Sequence, residues 1–242
     1  MEIVTSSDRP DLETQAGEVF RVKWPEFIFH DPIAAKYHQR ASTYFSEYDV
    51  LVLDDGRVIA GGWGVPLRWN GTLGDLPDGY DGALMRSIED HESGVRPTTL
   101  SIMAAVVGND VTKQGLAGQV LTALSGRARF VGLSHVIAPL RPTLKHRYPT
   151  TPMTTFASWT RPDGLSIDPW IRAHQRMGAT ILASAARSMV ISGTVAEWES
   201  WTEMVLPESG SYIVPDALCP VDINLKTDTG TYIEEGLWVQ HL

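Results

Sequence analysis

A glycine-containing turn is the segment of this chain whose residues are best suited to chemistry. The apolar run that ends at Val107 is followed by GNDVTKQGLAGQ, residues 108–119, and then by apolar side chains at helical spacing. A strand that leads through such a turn into a helix directs unpaired backbone N–H groups and the positive end of a helix dipole at one point, which suits a phosphate group. Gly115 and Gly118 are equally compatible with a tight helix start that binds no ligand.

Other ligand-binding patterns are absent from the sequence. Neither the Walker pattern nor the dinucleotide fingerprint GxGxxG occurs, so ATP and NAD are not the expected ligands. His, Asp and Glu residues are dispersed without metal-ligand spacing, and Cys219 is the only cysteine. We therefore expect no metal site and no intramolecular disulfide.

Charge and hydropathy argue against two classes of partner. The chain of 242 residues carries 20 Lys plus Arg and 29 Asp plus Glu, a formal net charge of −9 without a basic block, so we expect no nucleic-acid partner. The longest unbroken hydrophobic run, residues 102–107, is far shorter than the roughly 18 to 20 residues that cross a bilayer. The first seven residues also lack the features of a secretory signal. We expect a cytoplasmic protein that binds no membrane and acts on small molecules.

The elements expected around the turn form one domain, residues 1–242, with a helical N-terminal region and a C-terminal β extension. Apolar side chains in 34–48 recur at three- and four-residue steps, which predicts a buried helix face. Asp54-Asp55-Gly56 joins two β-rich runs and predicts a hairpin. In chain order the predicted elements are strand 2–5, a helix from about residue 11, helix 34–48, strands 49–53 and 57–63, loop 66–80, helix 81–91, strand 98–107, the helix after the turn, strand 134–138, helix 168–178, strand 179–184, a short helix at 197–201 and β structure at 212–214, 221–225 and 231–235.

This order of elements resembles the core of the Gcn5-related N-acetyltransferase (GNAT) superfamily over roughly residues 49–192. The stretches WPEF (24–27), DLPDGYD (75–81), Arg141-Pro142 with Lys145, DPW (168–170) and EWESW (197–201) also resemble an actinobacterial branch of it. The resemblance implies an α/β (α+β) fold with a central mixed, mostly antiparallel sheet, splayed central strands and flanking helices. It further implies acetyl-CoA or another acyl-CoA as acyl donor and a small-molecule amine as acceptor.

The superfamily's acyl-CoA motif is Gln or Arg, two residues, Gly, any residue, then Gly or Ala, and it falls on Thr112, Gly115 and Ala117. Thr112 departs from Gln or Arg, which weakens the case for a side-chain contact to the pyrophosphate. The backbone N–H groups of the turn can still bind it. Basic residues after the turn favour binding of the 3′-phosphate, with Arg127, Arg129 or Lys145 as its partner. The whole implied set is Ala105, Val106 and Val107, which would pair with the pantetheine arm, the turn residues Thr112, Lys113, Gln114, Gly115, Leu116, Ala117 and Gly118, and Arg127, Arg129 and Lys145.

The resemblance also implies an acid and a base. The superfamily often has a Tyr four residues before a Gly at the end of its second core helix, where it protonates the CoA thiolate, and here that position holds His174. Imidazole titrates near pH 6.5 and a helix C-terminus favours its charged form, so His174 is the expected acid, with Tyr148 and Tyr212 as alternatives. A histidine that only packs is the competing interpretation. Strand 98–107 has no acidic residue, so the candidate bases lie elsewhere and are also explained as surface charges or caps: Glu47, Asp81, His91, Glu92 and Glu197.

Two functions of different classes follow from these features. The first is an acyl-CoA-dependent N-acyltransferase, in which a small-molecule amine attacks the thioester directly. The second is an acyl-CoA-binding protein without amine transfer, either a regulatory module or a decarboxylase-like relative, and it is motivated by Thr112 and by the missing acid in strand 98–107. The sequence selects neither the acceptor nor the oligomeric state, for which a homodimer is one expectation.

Overall fold

One mixed β-sheet organises the chain. The computed structural model describes residues 1–21, 24–108 and 115–241. The strands are β1 (Glu2–Thr5), β2 (Asp49–Asp54), β3 (Arg57–Leu67), β4 (Thr99–Val107), β5 (His135–Leu140), β6 (Thr180–Gly193), β7 (Gly210–Tyr212), β8 (Val221–Asn224) and β9 (Thr229–His241). The helices are α1 (Glu13–Arg21), α2 (Pro32–Phe45), α3 (Gly79–Glu92), α4 (Leu116–Phe130), α5 (Met153–Ala157), α6 (Pro169–Arg176) and α7 (Val195–Thr202).

The strand order across the sheet is β1-β2-β3-β4-β5-β9-β8-β7, and β6 pairs with the remaining edge of β9. Among the described strands, β4 and β5 form the one parallel pair. A mostly antiparallel mixed sheet with flanking helices is the fold that the sequence predicts, and this prediction is confirmed. That the chain is a single domain remains a prediction.

Local signals in the sequence placed several elements correctly. The β2–β3 hairpin turns at Asp55 and Gly56, whose φ angles of 49° and 77° are both left-handed, as a two-residue hairpin loop requires. Asp168 caps α6 by accepting hydrogen bonds from the N–H groups of Trp170 and Ile171. On α7, the rings of Trp198 and Trp201 lie 5.1 Å apart, as their spacing predicts.

Several predicted boundaries differ from the observed ones, among them helix 34–48, which is α2 (Pro32–Phe45), and strand 231–235, which is β9 (Thr229–His241). Two further differences have a clear cause in the sheet. The loop expected from Pro66 starts later, because β3 continues to Leu67 with Pro66 opposite Leu100. At that point β2 no longer pairs with β3, since their ladder stops at Trp63, so a residue without an N–H is tolerated there. The strand expected to end at 184 continues to Gly193, because β9 supplies a partner over nearly the whole length of β6.

The central strands separate soon after they meet. β4 and β5 pair only over Thr99–Ser101, whereas β4 follows β3 as far as Val107 and β5 follows β9 as far as Leu140. Next to the point of separation, Ile102 faces Gly64 and Ala104 faces Trp63, so one extra residue of β4 has no partner on β3. Such a bulge bends a strand and increases its twist. Beyond Ser101 the two strands therefore diverge and leave a gap in the sheet.

Helices α1 and α4 cover opposite faces of the sheet beside this gap. A Cβ atom built on Gly61 would lie 3.1 Å from Phe20 of α1, and one built on Gly62 would lie 2.4 Å from Val120 of α4. Because successive strand residues face opposite sides, the two helices pack on opposite faces. Gly62 is required there, since any side chain would displace α4.

The C-terminal β extension has a core of its own. Phe27, Trp198 and Tyr232 are buried together, with the Phe27 and Tyr232 rings edge to face at 5.1 Å. The larger core lies between the helices and strands β2 to β5 and β9. The predicted β structure at the C-terminus thus completes the sheet around β9.

Two buried carboxyl groups join the first turns of α2 and α3. Asp31 caps α2 by accepting hydrogen bonds from the N–H groups of Ile33 and Ala34, at 2.6 and 2.9 Å. Asp81 in α3 accepts a hydrogen bond from the N–H of Val190 on β6 at 3.1 Å. Desolvation, reinforced by the nearby Asp31 carboxylate, raises the pKa of Asp81 to about 8. The pair is therefore expected to hold one proton between them at neutral pH.

This pair predicts a loss of stability as the pH rises. The folded state keeps the Asp81 proton up to about pH 8, whereas an unfolded Asp loses it near pH 4. Between these values the folded state binds more protons, so the free energy of unfolding falls as the pH increases. Asp81→Asn stays neutral and should show a flatter dependence in thermal unfolding from pH 5 to 8.5.

Asp78→Asn is the matched control, because Asp78 is exposed three residues away and its side chain does not cap α3. Its melting temperature should follow the wild-type dependence on pH. Parallel plots of melting temperature against pH for wild type and Asp81→Asn would contradict the prediction, because Asp81 would then be ionised over the whole pH range.

Candidate active site

A cleft of about 1060 Å³ lies where β4 and β5 separate. Residues 102–105 of β4 form one part of its wall, and residues 138–141 at the end of β5 form another. Side chains of α1, α2 and the start of α3 line the cleft together with Trp170 and His174 of α6. The gap in the sheet therefore opens directly into this cleft.

The edge of β4 that faces the cleft has unpaired backbone groups. Its ladder with β5 ends at Ser101, so from Ile102 onward the N–H and C=O groups on that edge have no strand partner in the described structure. Of the three residues predicted to meet a pantetheine arm, Ala105 lines the cleft. Val106 and Val107 do not line it and pair with Gly61 and Ala60 of β3. The opening thus starts nearer to Ile102 than the sequence suggested.

The turn before α4 is described only from Gly115 onward, and Thr112, Lys113 and Gln114 lie outside the described residues. Gly115 precedes α4 with a left-handed φ of 86°. Leu116 is buried, Ala117 and Gly118 are half-buried, and a Cβ atom on Gly118 would meet no atom within 4 Å. A second cavity of about 390 Å³ lies there, lined by Gly115, Gly118 and Met177 from the end of α6. Helix α6 therefore approaches the start of α4.

Two of the three basic residues predicted to face a 3′-phosphate, Lys145 and Arg127, have partners within the protein. Lys145 is buried, and its Nζ donates hydrogen bonds to the carbonyl groups of Tyr148 at 3.0 Å and Leu218 at 2.5 Å. This burial is incompatible with a phosphate partner, so the prediction for Lys145 is wrong. Arg127 forms an ion pair with Glu47, and Arg129 lies exposed near the end of α4. The contact of Arg129 with a phosphate stays a prediction.

His174 lies in the wall of the cleft, but its environment differs from the expected one. The side chain is fully buried, its Nδ1 lies 2.8 Å from Nε2 of His241, and Trp170 packs edge to face against it at 4.4 Å. Desolvation, with the His241 ring as a second cause, lowers the pKa of His174 to about 3. The expected protonated imidazole is therefore wrong, because the burial outweighs the helix dipole. Its Nε2 is buried without a hydrogen-bond partner in the described residues.

The other predicted acids and bases lie outside the cleft wall. Tyr148 packs on Trp159 with ring centroids 5.0 Å apart, and the Tyr212 hydroxyl donates to the Glu208 carbonyl at 2.8 Å. Glu197 forms a capping box with Thr194 at the start of α7. The remaining candidates are engaged as well: Glu47 with Arg127, Asp81 with Val190, Glu92 with Arg40 and Tyr44, and His91 with the Tyr44 and Phe45 rings.

Sequence reasoning missed the polar groups that line the cleft. Glu234 of β9 accepts hydrogen bonds from Arg141 Nε at 2.9 Å and from the Tyr232 hydroxyl at 2.6 Å. His38 of α2 packs edge to face on Trp63 with ring centroids 5.1 Å apart, and desolvation lowers its pKa. Asp49, the first residue of β2, also lines the cleft. The hairpin could have indicated Asp49 and Trp63, since its register places them opposite each other.

Within the described residues, three or more His, Cys, Asp or Glu side chains are nowhere arranged to hold a metal ion. Over the same residues, no helix has the length and apolar character needed to span a bilayer.

Comparison with known proteins identifies the family. No protein-family model matches the sequence. The sequence is 33% identical to an arginine N-acetyltransferase of Aspergillus versicolor over 272 aligned positions, which cover 98% of this chain and 92% of that protein.

Two solved structures share the fold at low sequence identity. The loading GNATL domain of CurA from Lyngbya majuscula superposes with a TM-score of 0.61 at 15% identity, over 99% of this chain and 96% of that one. The GphF GNAT-like decarboxylase in complex with isobutyryl-CoA gives a TM-score of 0.61 at 14% identity, over 100% and 98%. The sequence relative carries the assignment to a family, and the two structures agree with it in fold. The chain therefore belongs to the Gcn5-related N-acetyltransferase superfamily and is an enzyme of that acyl-transferring group.

Proposed function

We propose that the protein transfers the acetyl group of acetyl-CoA to the amine of a small molecule, and that arginine is the first acceptor to test. The observation that carries this proposal is the 33% identity to an arginine N-acetyltransferase over 98% of the chain. The cleft at the β4–β5 gap supports it, because its volume of about 1060 Å³ leaves room for a thioester and a small acceptor together.

The reaction is a direct transfer. The acceptor nitrogen attacks the thioester carbonyl carbon, the C–N bond forms, and the C–S bond then breaks to release CoA as a thiolate that takes up a proton. The nitrogen loses one proton in the same sequence of steps. Charge that develops on the carbonyl oxygen is stabilised by a backbone N–H on the free edge of β4, the arrangement of an oxyanion hole.

His38 is the residue that we assign to accept the proton of the amine. Its ring lies against Trp63, which is next to Ala104 of β4 in the sheet. Its lowered pKa keeps the imidazole unprotonated at neutral pH, as a base requires. Neither ring nitrogen has a hydrogen-bond partner within the described ranges, so both are available to a ligand. Glu234, by contrast, already accepts two hydrogen bonds.

A second function is favoured by one observation. The GphF decarboxylase shares the fold, so the alternative is binding of a carboxylated acyl-CoA such as malonyl-CoA, which loses CO₂ to leave the shorter acyl-CoA without amine transfer.

One assay separates these two functions. Acetyl-CoA with arginine should release free thiol and form an acetylated arginine detectable by mass spectrometry, and omission of arginine should abolish thiol release. Malonyl-CoA should give no acetyl-CoA under the same conditions. Conversion of malonyl-CoA to acetyl-CoA without any acetylated amine would establish the decarboxylase and overturn the transferase.

The two histidines of the cleft, His38 and His174, give a further prediction. His38→Asn should lower kcat by about 10²- to 10³-fold, the contribution typical of a general base, and should remove the acidic limb of the pH profile of kcat measured at saturating acceptor. His174→Asn should leave the position of that limb unchanged, because a group whose pKa is about 3 does not titrate between pH 5 and 9.

Asn is chosen at position 174 because its amide can replace Nδ1 opposite His241, and melting curves should establish that both variants fold. A displaced acidic limb in His174→Asn, with an unchanged one in His38→Asn, would reverse the two assignments.

A further inference from the structure

Asp49 is an acidic side chain in the cleft wall that has no partner in the part of the chain that the structure describes. It is partly buried at the first position of β2, and no described group donates a hydrogen bond to its carboxylate or pairs with it. Desolvation alone raises the pKa of this carboxyl to about 7. A carboxylate removed from water without a compensating charge is unfavourable, so a cation at this position would be stabilising.

The cations in the described cleft wall are engaged elsewhere. Arg9 binds both carboxylate oxygens of Asp11, at 2.8 and 2.7 Å. Arg141 pairs with Glu234, and the Arg21 guanidinium lies over the Phe29 ring. The positive groups of the described cleft wall therefore leave the Asp49 carboxylate open to a ligand.

The sheet fixes the distance between Asp49 and the reacting centre. Asp49 lies opposite Trp63 on β3, and Trp63 lies opposite Ala104 on β4. Residues directly opposite each other in antiparallel strands point to the same face, so the three side chains form a row along one wall of the cleft. Adjacent strands are about 4.8 Å apart, which places Asp49 roughly 10 Å from the free edge of β4.

We infer that Asp49 binds a second positive group of the acceptor, at the end of the molecule away from the nitrogen that is acetylated. This inference rests on the proposed function, and it narrows the substrate class to amines with a second cationic group. An extended arginine spans roughly 8 Å from its α-nitrogen to its terminal guanidinium nitrogens, given bonds of about 1.5 Å. With a hydrogen bond of about 2.8 Å to the carboxylate, it covers the distance from the β4 edge to Asp49.

Two features of the row support an anchor rather than a base. A general base must lie within hydrogen-bond reach of the proton that it removes, or one water away, and two strand spacings exceed that reach. Trp63 lies between Asp49 and Ala104 in this row, and its indole offers a flat apolar surface for the methylene chain of the acceptor. A guanidinium is also suited to a carboxylate, because it can donate two parallel hydrogen bonds to it.

The test compares arginine with citrulline, which has nearly the same shape and lacks the positive charge. Calorimetry in the presence of CoA should show tighter binding of arginine by wild type. Asp49→Asn should weaken arginine binding by about 10- to 100-fold, the usual loss for a hydrogen-bonded charge, and change citrulline binding by less than about 3-fold. Glu13→Gln is the matched control, because Glu13 is an exposed acidic residue of α1 in the same cleft, and it should change neither affinity by more than about 3-fold.

The outcomes separate this inference from the proposed function. Equal weakening of arginine and citrulline in Asp49→Asn, or no weakening, would overturn the role of Asp49, and Asp49→Ser replaces the variant if the first does not fold. Acetylation of amines without preference for a second cation would support the transferase and overturn the anchor. Binding of arginine that depends on Asp49, without any turnover, would support the anchor and overturn the proposed function.

Discussion

The parting of β4 from β5 after three residue pairs is the constraint on which the rest of this structure depends. β5 remains bound to β9 as far as Leu140, and β4 remains bound to β3 as far as Val107, so the two ladders direct the strands apart. Inside a protein, backbone N–H and C=O groups need partners. Beyond Ser101, the free edge of β4 therefore presents backbone N–H and C=O groups without a strand partner to the cleft. An extended amide-containing arm of a ligand can complete it in the manner of an added strand.

The polar side chains around the cleft divide into those with partners inside the protein and those without a partner in the described structure. Lys145 donates hydrogen bonds to the Tyr148 and Leu218 carbonyls, and the Arg141–Glu234 ion pair links the end of β5 to β9. Lys145, Arg141 and Glu234 therefore have hydrogen-bond partners inside the protein and need none from a substrate. Asp49 and His38 are different, because each lies in the cleft wall without a hydrogen-bond partner in the described structure. On this account the acceptor subsite lies along the row from β2 to β4.

Sequence patterns predicted the features that depend on neighbouring residues. They missed the features that depend on contacts between segments far apart in the chain. The hairpin at Asp55 and Gly56 and the cap at Asp168 depend on residues next to them, and both were predicted correctly. His174 shows the opposite case, since its position near a helix end is local but its partner, His241, is 67 residues away. The burial that lowers its pKa therefore has no signature around position 174.

The environments of Lys145 and Asp49 also depend on residues that are distant in the sequence. Lys145 looks like a surface charge in sequence, and only the approach of Leu218, 73 residues later, shows that it is a buried structural group. Asp49 looks like the polar end of a strand, and its place in the cleft wall emerges only when β3 and β4 align it with Trp63 and Ala104. The turn residues Thr112, Lys113 and Gln114 remain predictions from the sequence.

The most direct measurement of the central claim is amide hydrogen exchange along β4 with and without CoA. The account predicts that CoA slows exchange at residues 102–105, where the edge is free, and leaves Thr99–Ser101 unchanged, because those residues are already paired with β5. CoA binding demonstrated by calorimetry but without any new protection at 102–105 would contradict it, since the ligand would then lie elsewhere than in the gap between the two strands.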